Sequence, residues 1–214
     1  NGIKINPYTA GGASIYNLDP SLITSIEIGS GPFSSIHGSE AIGGVINIST
    51  SNEEHESFSR ISASLGPDNF SKGSYQIQKN QKDKSIGLLL LNSATDGFPT
   101  LIGSEIKNGY KNQSLISSFR LNHQKVKMGL ASWHSQGRTE YLSYQMSPLE
   151  QDYKNSAVSV NLTLQGSNEG SFIINFGHSR DLISQNQINF LGLEDFTETK
   201  TNSLEFIYSR NINN

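Results

Sequence analysis

The sequence predicts a mainly β protein, in which a small mixed α/β unit precedes about eight antiparallel strands of a transmembrane β-barrel wall. Apolar residues make up only 34% of the chain, yet they alternate with polar residues over most of its length. The alternating segments have roughly the 9–11 residues that cross a bilayer at a tilt. Short and long connections also alternate between them, as in outer-membrane barrels with short inner turns and long outer loops.

The N-terminal unit is predicted to occupy residues 1–52 and to contain only short elements. Asp19 is expected to cap a single helical turn, because Pro20 suits the first helical position. A unit of this size is too small to be stable alone. Its other predicted elements are a strand at Ile3–Ile5, a loop at Pro7–Ser14, and strands at Thr24–Ile28 and Val45–Ile48.

Residues 53–214 are predicted to form part of the wall, because their apolar residues follow a period of two. The predicted strands are Phe58–Leu65, Ser71–Gln78, Lys84–Ser93, Leu115–Asn122, Lys125–Trp133, Val158–Leu164, Phe172–Phe176 and Leu204–Ser209. Long outer loops are predicted at Ala94–Gln113, His134–Asn155 and Arg180–Thr201. The strand pattern alone leaves a soluble β-sandwich or solenoid open.

Composition argues against several other classes. The net charge of −3 gives no basic surface for nucleic acid, and the absence of cysteine excludes disulfides and thiolate metal sites. The longest apolar run, Leu88–Leu91, has the length of a strand and not of a membrane helix. The histidines are widely spaced, and no nucleophile elbow or phosphate loop is found, so we expect no enzyme.

A glycine-punctuated stretch at the end of the N-terminal unit resembles the plug-domain signature of TonB-dependent outer-membrane receptors. The similarity covers Ser25–Ile28, Gly31-Pro32 and Gly38–Ile48, with the glycine spacing kept throughout. The family's usual arginines and tyrosine are replaced here by Ser25, Ser30 and His37, so charged contacts of those arginines are not expected. The residues taken as the plug motif are Gly31, Pro32, Gly38, Ser39, Glu40, Gly43, Gly44 and Asn47.

The resemblance implies a fragment of a receptor in the bacterial outer membrane, with the C-terminal half of the plug followed by the first strands of a larger barrel. The polar side chains of Arg60, Asn161, Asn175 and Glu205 are expected to face the lumen. Lipid is expected on the opposite face, against the strand aromatics Phe119, Trp133, Phe172, Phe206 and Tyr208. The TonB contact is expected in a segment that this chain lacks.

The resemblance also implies a ligand and its site. Within the family the chain is most similar to receptors for cobalamin, and ferric siderophores or haem are the alternative cargoes. The loop after the first strand would reach the plug apex and contact the ligand through Tyr8, Thr9, Ser14 and Tyr16. Calcium is the one cofactor considered, at the outer-loop carboxylates Asp96, Glu105, Glu140, Glu150 and Asp152. A surface binding or adhesion protein without transport is the alternative of another class.

Overall fold

The computed structural model describes residues 5, 17–37, 41–50, 57–143, 145–166, 170–187 and 194–210. In this part of the chain the strands form two sheets, one of two strands and one of eight. The domain boundary predicted after residue 52 falls within residues 51–56, outside the described residues, and stays a prediction.

The two-stranded sheet belongs to the N-terminal unit. A 3₁₀ turn at Pro20–Leu22 is followed by β1 (Ser25–Ser30), the short helix α1 (Ser34–His37) and β2 (Gly44–Ser49). As the sequence predicts, the Asp19 side chain caps the 3₁₀ turn by accepting a hydrogen bond from the Ser21 amide at 2.8 Å. Only glycine fits at position 44, because a Cβ there would lie 2.4 Å from the Gly29 carbonyl oxygen across the β1–β2 pair. Among the described residues, none of the helices is both long and apolar enough to cross a membrane.

The eight-stranded sheet is a meander in which each strand pairs antiparallel with its neighbours in the chain, in the order β3 to β10. This confirms the mainly β fold class and the expected number of strands. The strands are β3 (Phe58–Leu65), β4 (Ser71–Gln81), β5 (Lys84–Thr95), β6 (Tyr110–His123), β7 (Val126–Leu142), β8 (Pro148–Gln165), β9 (Gly170–Gln187) and β10 (Glu194–Arg210).

Two of the three predicted long loops are wrong, because β7 to β10 continue through them as paired strands. Arg138 pairs in register with Asp152, and Ser184 pairs with Phe196, well inside the predicted loops. The long connection between β5 and β6 is confirmed. Beyond Val158 and Phe176 most outward positions become polar, with Leu182 as the exception on β9, so the regular apolar alternation ends although the backbone ladder does not. A strand that rises out of the bilayer has no reason to keep an apolar outer face.

The two faces of the large sheet differ as expected for a barrel wall. Leu89, Leu91 and Ile116 contact the N-terminal unit, which identifies their face as the inner one. Arg60, Asn161, Asn175 and Glu205 lie on this inner face, as predicted, and the last three are joined by hydrogen bonds of 2.9 and 2.7 Å. The outer face exposes a band of apolar side chains that includes Ile61, Ile86, Leu90, Leu130, Leu164, Phe172, Phe176, Leu204, Phe206 and Tyr208.

Trp133 corrects one prediction about the faces. The sequence places it against lipid with the other strand aromatics, but it packs on the inner face against the buried apolar cluster that joins the N-terminal unit to the wall. Its register partners Ile116 and Ala157 are also buried inner residues. An aromatic side chain is as suitable for this contact as for lipid, so residue type alone could not assign the face.

Candidate functional site

The segment Asn17–Leu22 lies on the inner face of the wall, and we call this segment together with its wall contacts the seat. Its apolar half is built from Leu18 and Leu22, which pack on Leu89, Leu91 and Ile116 of strands β5 and β6. Leu22 is 2% exposed. Full burial of such a side chain stabilises by about 1.5–3 kcal/mol relative to leaving it in water, so this half supplies most of the adhesion.

The polar half of the seat is centred on Asn17, which is fully buried. Its side-chain Nδ2 donates to Asn155 Oδ1 of β8 at 2.7 Å. Its backbone carbonyl accepts from Ser135 Oγ of β7 at 3.2 Å and from Asn112 Nδ2 of β6 at 3.4 Å. One residue of the N-terminal unit therefore bonds to three adjacent wall strands.

The wall residues of this half are bonded to one another as well. Ser114 Oγ donates to Asn112 Oδ1 at 3.0 Å, and the single hydroxyl hydrogen of Ser135 is shared between the Asn17 carbonyl and the same Asn112 oxygen, which lies 2.8 Å from Ser135 Oγ. Asn155 also donates from Nδ2 to the carboxylate of Asp181 on β9. Because buried polar groups must be satisfied to avoid a desolvation cost, this network fixes the orientation of the groups that hold Asn17. Within the described part of the chain, Asn17 Oδ1 has no hydrogen-bond partner.

An ion pair closes the edge of the seat. Lys72 Nζ of β4 lies 2.6 Å from Asp19 Oδ1, which also accepts from Ser21. Burial alone would raise the pKa of the Asp19 carboxyl, but the hydrogen bonds from Lys72 and Ser21 outweigh it, and the pKa is lowered. The charged form of Asp19 is therefore the one that the folded protein favours.

The predicted ligand residues Tyr8, Thr9, Ser14 and Tyr16 lie outside the described residues, as do Gly38, Ser39 and Glu40 of the predicted motif. Their assignment stays a prediction. Asn17 follows Tyr16 directly in the chain, so the seat lies at the end of the predicted ligand loop. Of the remaining motif residues, Gly31 and Pro32 join β1 to α1, Gly43 precedes β2, and Asn47 Nδ2 donates to Glu27 Oε2 at 2.8 Å.

The carboxylates proposed for calcium occupy the outer end of the wall. Glu140 and Glu150 are register partners on β7 and β8, and Glu140 Oε2 accepts from the Gly109 amide at 3.1 Å. Asp96 accepts from Asn69 at 2.6 Å, and Glu105 lies in the connection between β5 and β6. Among the residues that the structure describes, no three acidic or histidine side chains come together as a group that could hold a metal ion.

Arg138 forms ion pairs with two of these carboxylates. It donates from Nε and Nη2 to Asp152 at 2.7 and 2.9 Å and from Nη1 to Glu150 at 2.7 Å. The hydrogen bonds to Asp152 and the nearby carboxylates raise the pKa of Arg138 above its ordinary value, although burial opposes this. The pair is partly exposed, and such bridges contribute about 0–1 kcal/mol.

Sequence reasoning missed the seat. Its wall residues Asn112, Ser114, Ser135 and Asn155 are small and polar, and they look like ordinary lumen residues in a chain rich in serine and asparagine. The usable signal was their position: Ser114, Ser135 and Asn155 share one register row, and Asn112 lies one row above it. That row can be drawn only when the strand register is known.

Residues 1–45 match the family described as TonB-dependent Receptor Plug Domain. The Vitamin B12 transporter BtuB of Vibrio vulnificus strain YJ016 is 32% identical over 123 residues, which cover 56% of this chain and 20% of the relative. BtuB of Vibrio vulnificus strain CMCP6 is 30% identical over 150 residues, covering 66% and 24%. BtuB of Photobacterium profundum is 26% identical over 145 residues, also covering 66% and 24%.

A solved structure shows the same fold. The siderophore receptor PiuA from Acinetobacter baumannii superposes with a TM-score of 0.63 at 13% identity, over 77% of this chain and 27% of that one. At this identity the likeness concerns the fold alone. The chain spans between a fifth and a quarter of the length of the curated relatives it matches.

A plug segment seated on the inner face of an antiparallel wall with an apolar outer band defines a plugged β-barrel receptor of the bacterial outer membrane. Residues 1–45 match the plug domain of the TonB-dependent receptors, and the wall that follows has the fold of such a receptor, so the findings support a receptor fragment that contains plug and wall. This family consists of transporters and not of enzymes, in agreement with the sequence.

Proposed function

We propose that the receptor containing this chain takes up cobalamin, and that energy delivered through TonB remodels the plug during uptake. The observation that carries the proposal is the similarity to vitamin B12 transporters, at 32% identity over 123 residues and 30% over 150 residues. TonB is the energy-coupling partner that the family description of residues 1–45 implies.

The seat supports the second half of the proposal. A segment that must leave and return to a wall needs contacts that water can replace, and hydroxyl and amide groups meet this need because their net contribution is only about 0.5–1.5 kcal/mol per bond. Asn17 lies between the predicted ligand loop and the wall, and its three hydrogen bonds all go to wall strands. A ligand that rearranges the loop would act on this residue first.

A binding experiment with the intact receptor tests the cargo. Cyanocobalamin should bind with nanomolar affinity, and ferric siderophores and haem should not compete. Tyr8→Ala and Tyr16→Ala should weaken binding, whereas Tyr208→Ala, on the outer face beside Phe172, should leave it unchanged. Displacement by a ferric siderophore or haem would move the assignment to that cargo. Absence of binding to any of them would favour the adhesion alternative.

Calcium at the outer end of the wall is a separate proposal. It is supported by the direct pairing of Glu140 with Glu150, since calcium prefers several carboxylate oxygens. Arg138 already binds Glu150 and Asp152, so calcium would have to use their remaining oxygens or displace the guanidinium. Calcium titration of the intact receptor should show a site that Glu140→Gln weakens and Glu205→Gln, on the inner face, does not. Equal titration curves for both variants would refute it.

A further inference from the structure

The short turns at the inner end of the wall carry a cluster of lysines. The turn between β4 and β5 consists of Lys82-Asp83, and the turn between β6 and β7 consists of Gln124-Lys125. Lys84 and Lys127 follow these turns on β5 and β7. We call this cluster the lysine rim, and its members are Lys79, Lys82, Lys84, Lys125 and Lys127.

Backbone hydrogen bonds hold both turns against neighbouring strands. The Asn122 amide at the end of β6 donates to the Asp83 carbonyl at 2.7 Å. The Gln165 amide at the end of β8 donates to the Lys125 carbonyl at 2.8 Å. The two turns are two strand spacings apart, which is roughly 10 Å. The lysines therefore extend from backbone positions that strands β4 to β8 fix relative to one another.

The charge balance of the lysine rim differs from that of the outer end of the wall. All five lysines are exposed, and Asp83 is the single acidic residue in the stretches 79–84 and 123–127. Among the described residues, no ion pair involves the rim. At the outer end, by contrast, Lys107, Arg138 and Arg180 are paired with acidic residues at 2.7 to 3.0 Å. The rim is thus a positive patch in a chain whose net charge is −3.

The positions of the lysines indicate the side from which a partner approaches. By strand alternation Lys84 lies on the outward face of the sheet, whereas Lys127 lies on the inner face. Lys82 and Lys125 lie in the turns themselves. A patch for lipid headgroups would be restricted to the outward face. The lysine rim surrounds the turns instead, and short turns mark the inner side of such barrels, so it faces the space beneath the membrane.

The composition of the rim indicates the chemistry of the partner. Specific protein interfaces are enriched in arginine and large aromatic residues and depleted in lysine. The stretches 79–84 and 123–127 contain no arginine, tyrosine, tryptophan or phenylalanine. Lysine is a strongly hydrated point charge without the planar fork that lets arginine bind a carboxylate at two points. Such charges suit a hydrated polymer with repeated single carboxylates better than a docked protein surface.

We propose that the lysine rim binds peptidoglycan through the carboxylates of its peptide stems. This contact holds the receptor to the cell wall beneath the outer membrane. The two turns contact carboxylates of the same stem or of neighbouring stems, because a polymer with many such groups can meet lysines roughly 10 Å apart. The proposal rests on the outer-membrane location and is independent of the cargo.

Co-sedimentation of the intact receptor with purified peptidoglycan sacculi tests this. The receptor should sediment with the sacculi at low salt and remain in solution at about 1 M salt, where the screening length is about 3 Å. Lys82→Gln combined with Lys125→Gln should lower the apparent affinity roughly threefold for each lysine and tenfold for both, because single exposed charge pairs contribute little. Sacculi whose carboxyl groups have been amidated should not bind.

Lys111→Gln combined with Lys154→Gln is the matched control. It removes the same charge from two exposed lysines in the outer half of β6 and β8, and it should leave sedimentation unchanged. Equal losses in the two double variants would overturn the proposal, because binding would then follow net charge alone. Binding to amidated sacculi, or no sedimentation of the wild type, would also overturn it.

Native mass spectrometry with phosphatidylglycerol distinguishes a lipid from the cell wall as the partner. If the rim variant loses phosphatidylglycerol and still binds sacculi as the wild type does, the rim recognises lipid headgroups and the proposal is wrong. Cyanocobalamin binding by both double variants separates these outcomes from a failure of the cargo proposal.

Discussion

Asn155→Ala should release the plug segment from its seat without unfolding the wall. The substitution removes the acceptor of the 2.7 Å bond from Asn17 Nδ2 and leaves that donor buried in a residue that is fully inaccessible. An orphaned buried donor costs about 1–3 kcal/mol. The lost bond to Asp181 joins two wall strands and does not count toward the seat. Taking about 2 kcal/mol, opening of the seat should become about 30-fold more frequent.

Hydrogen exchange followed by mass spectrometry measures this opening, on a peptide covering residues 17–24 of the intact receptor. The Leu22 and Ile23 amides are protected by bonds of 2.9 and 3.1 Å and report on the segment directly. Asn161→Ala is the control, because it removes the same side chain from the inner face of β8, where its partner is the wall residue Asn175. Equal exchange rates in the two variants would refute the reasoning, since the seat would then not depend on Asn155.

Three further predictions concern the seat and the wall strands. Leu22→Ala, at a position 2% exposed, should destabilise the seat by about 2–5 kcal/mol and accelerate exchange of residues 17–24, whereas no effect would show that the leucine cluster does not hold the segment. The lowered pKa of Asp19 implies stability that is present above the ordinary carboxyl pKa and lost as the pH falls through the folded value, so Lys72→Met should speed exchange at neutral pH, and its difference from the wild type should shrink as the pH falls below the ordinary carboxyl pKa, after correction for intrinsic rates. A difference that does not shrink on acidification would contradict this. Gly137→Ala should block assembly of the receptor, seen as loss of heat-modifiable mobility on gels, because its Cβ would lie 1.9 Å from the Lys111 carbonyl oxygen, while Gly73→Ala should assemble normally.

The sequence was informative wherever one face of a strand meets lipid and the other does not. Alternation located all eight strands of the wall, and the glycine spacing identified the plug family. Alternation failed above the membrane, where Lys154 and Arg180 replace apolar residues on strands that continue unbroken. The alternation of apolar and polar residues shows whether a strand face meets lipid or water, and it does not show the backbone hydrogen bonds. Strands with water on both faces were therefore predicted as loops.

The seat could not be predicted for a different reason. Its residues come from distant parts of the chain, and Asn17 and Asn155 are 138 positions apart. Serine and asparagine are so frequent in this chain that no local signal distinguishes the ones that bind the plug segment. The register of β6, β7 and β8 has to be known before the convergence of Asn112, Ser135 and Asn155 on Asn17 can be seen.

The division of the seat into an apolar and a polar half has a mechanical consequence. Wetting the Asn17 network exchanges protein hydrogen bonds for water hydrogen bonds, so the net work is small. Lifting Leu18 and Leu22 off β5 and β6 exposes apolar area and requires about 1.5–3 kcal/mol for each side chain. The force needed to detach the segment is therefore determined mainly by two leucines. The amides and hydroxyls determine the position in which the segment binds again when the force ends. The force that the seat resists can then be changed through the two leucines, and the position of the bound segment can be changed separately through Asn17 and its partners.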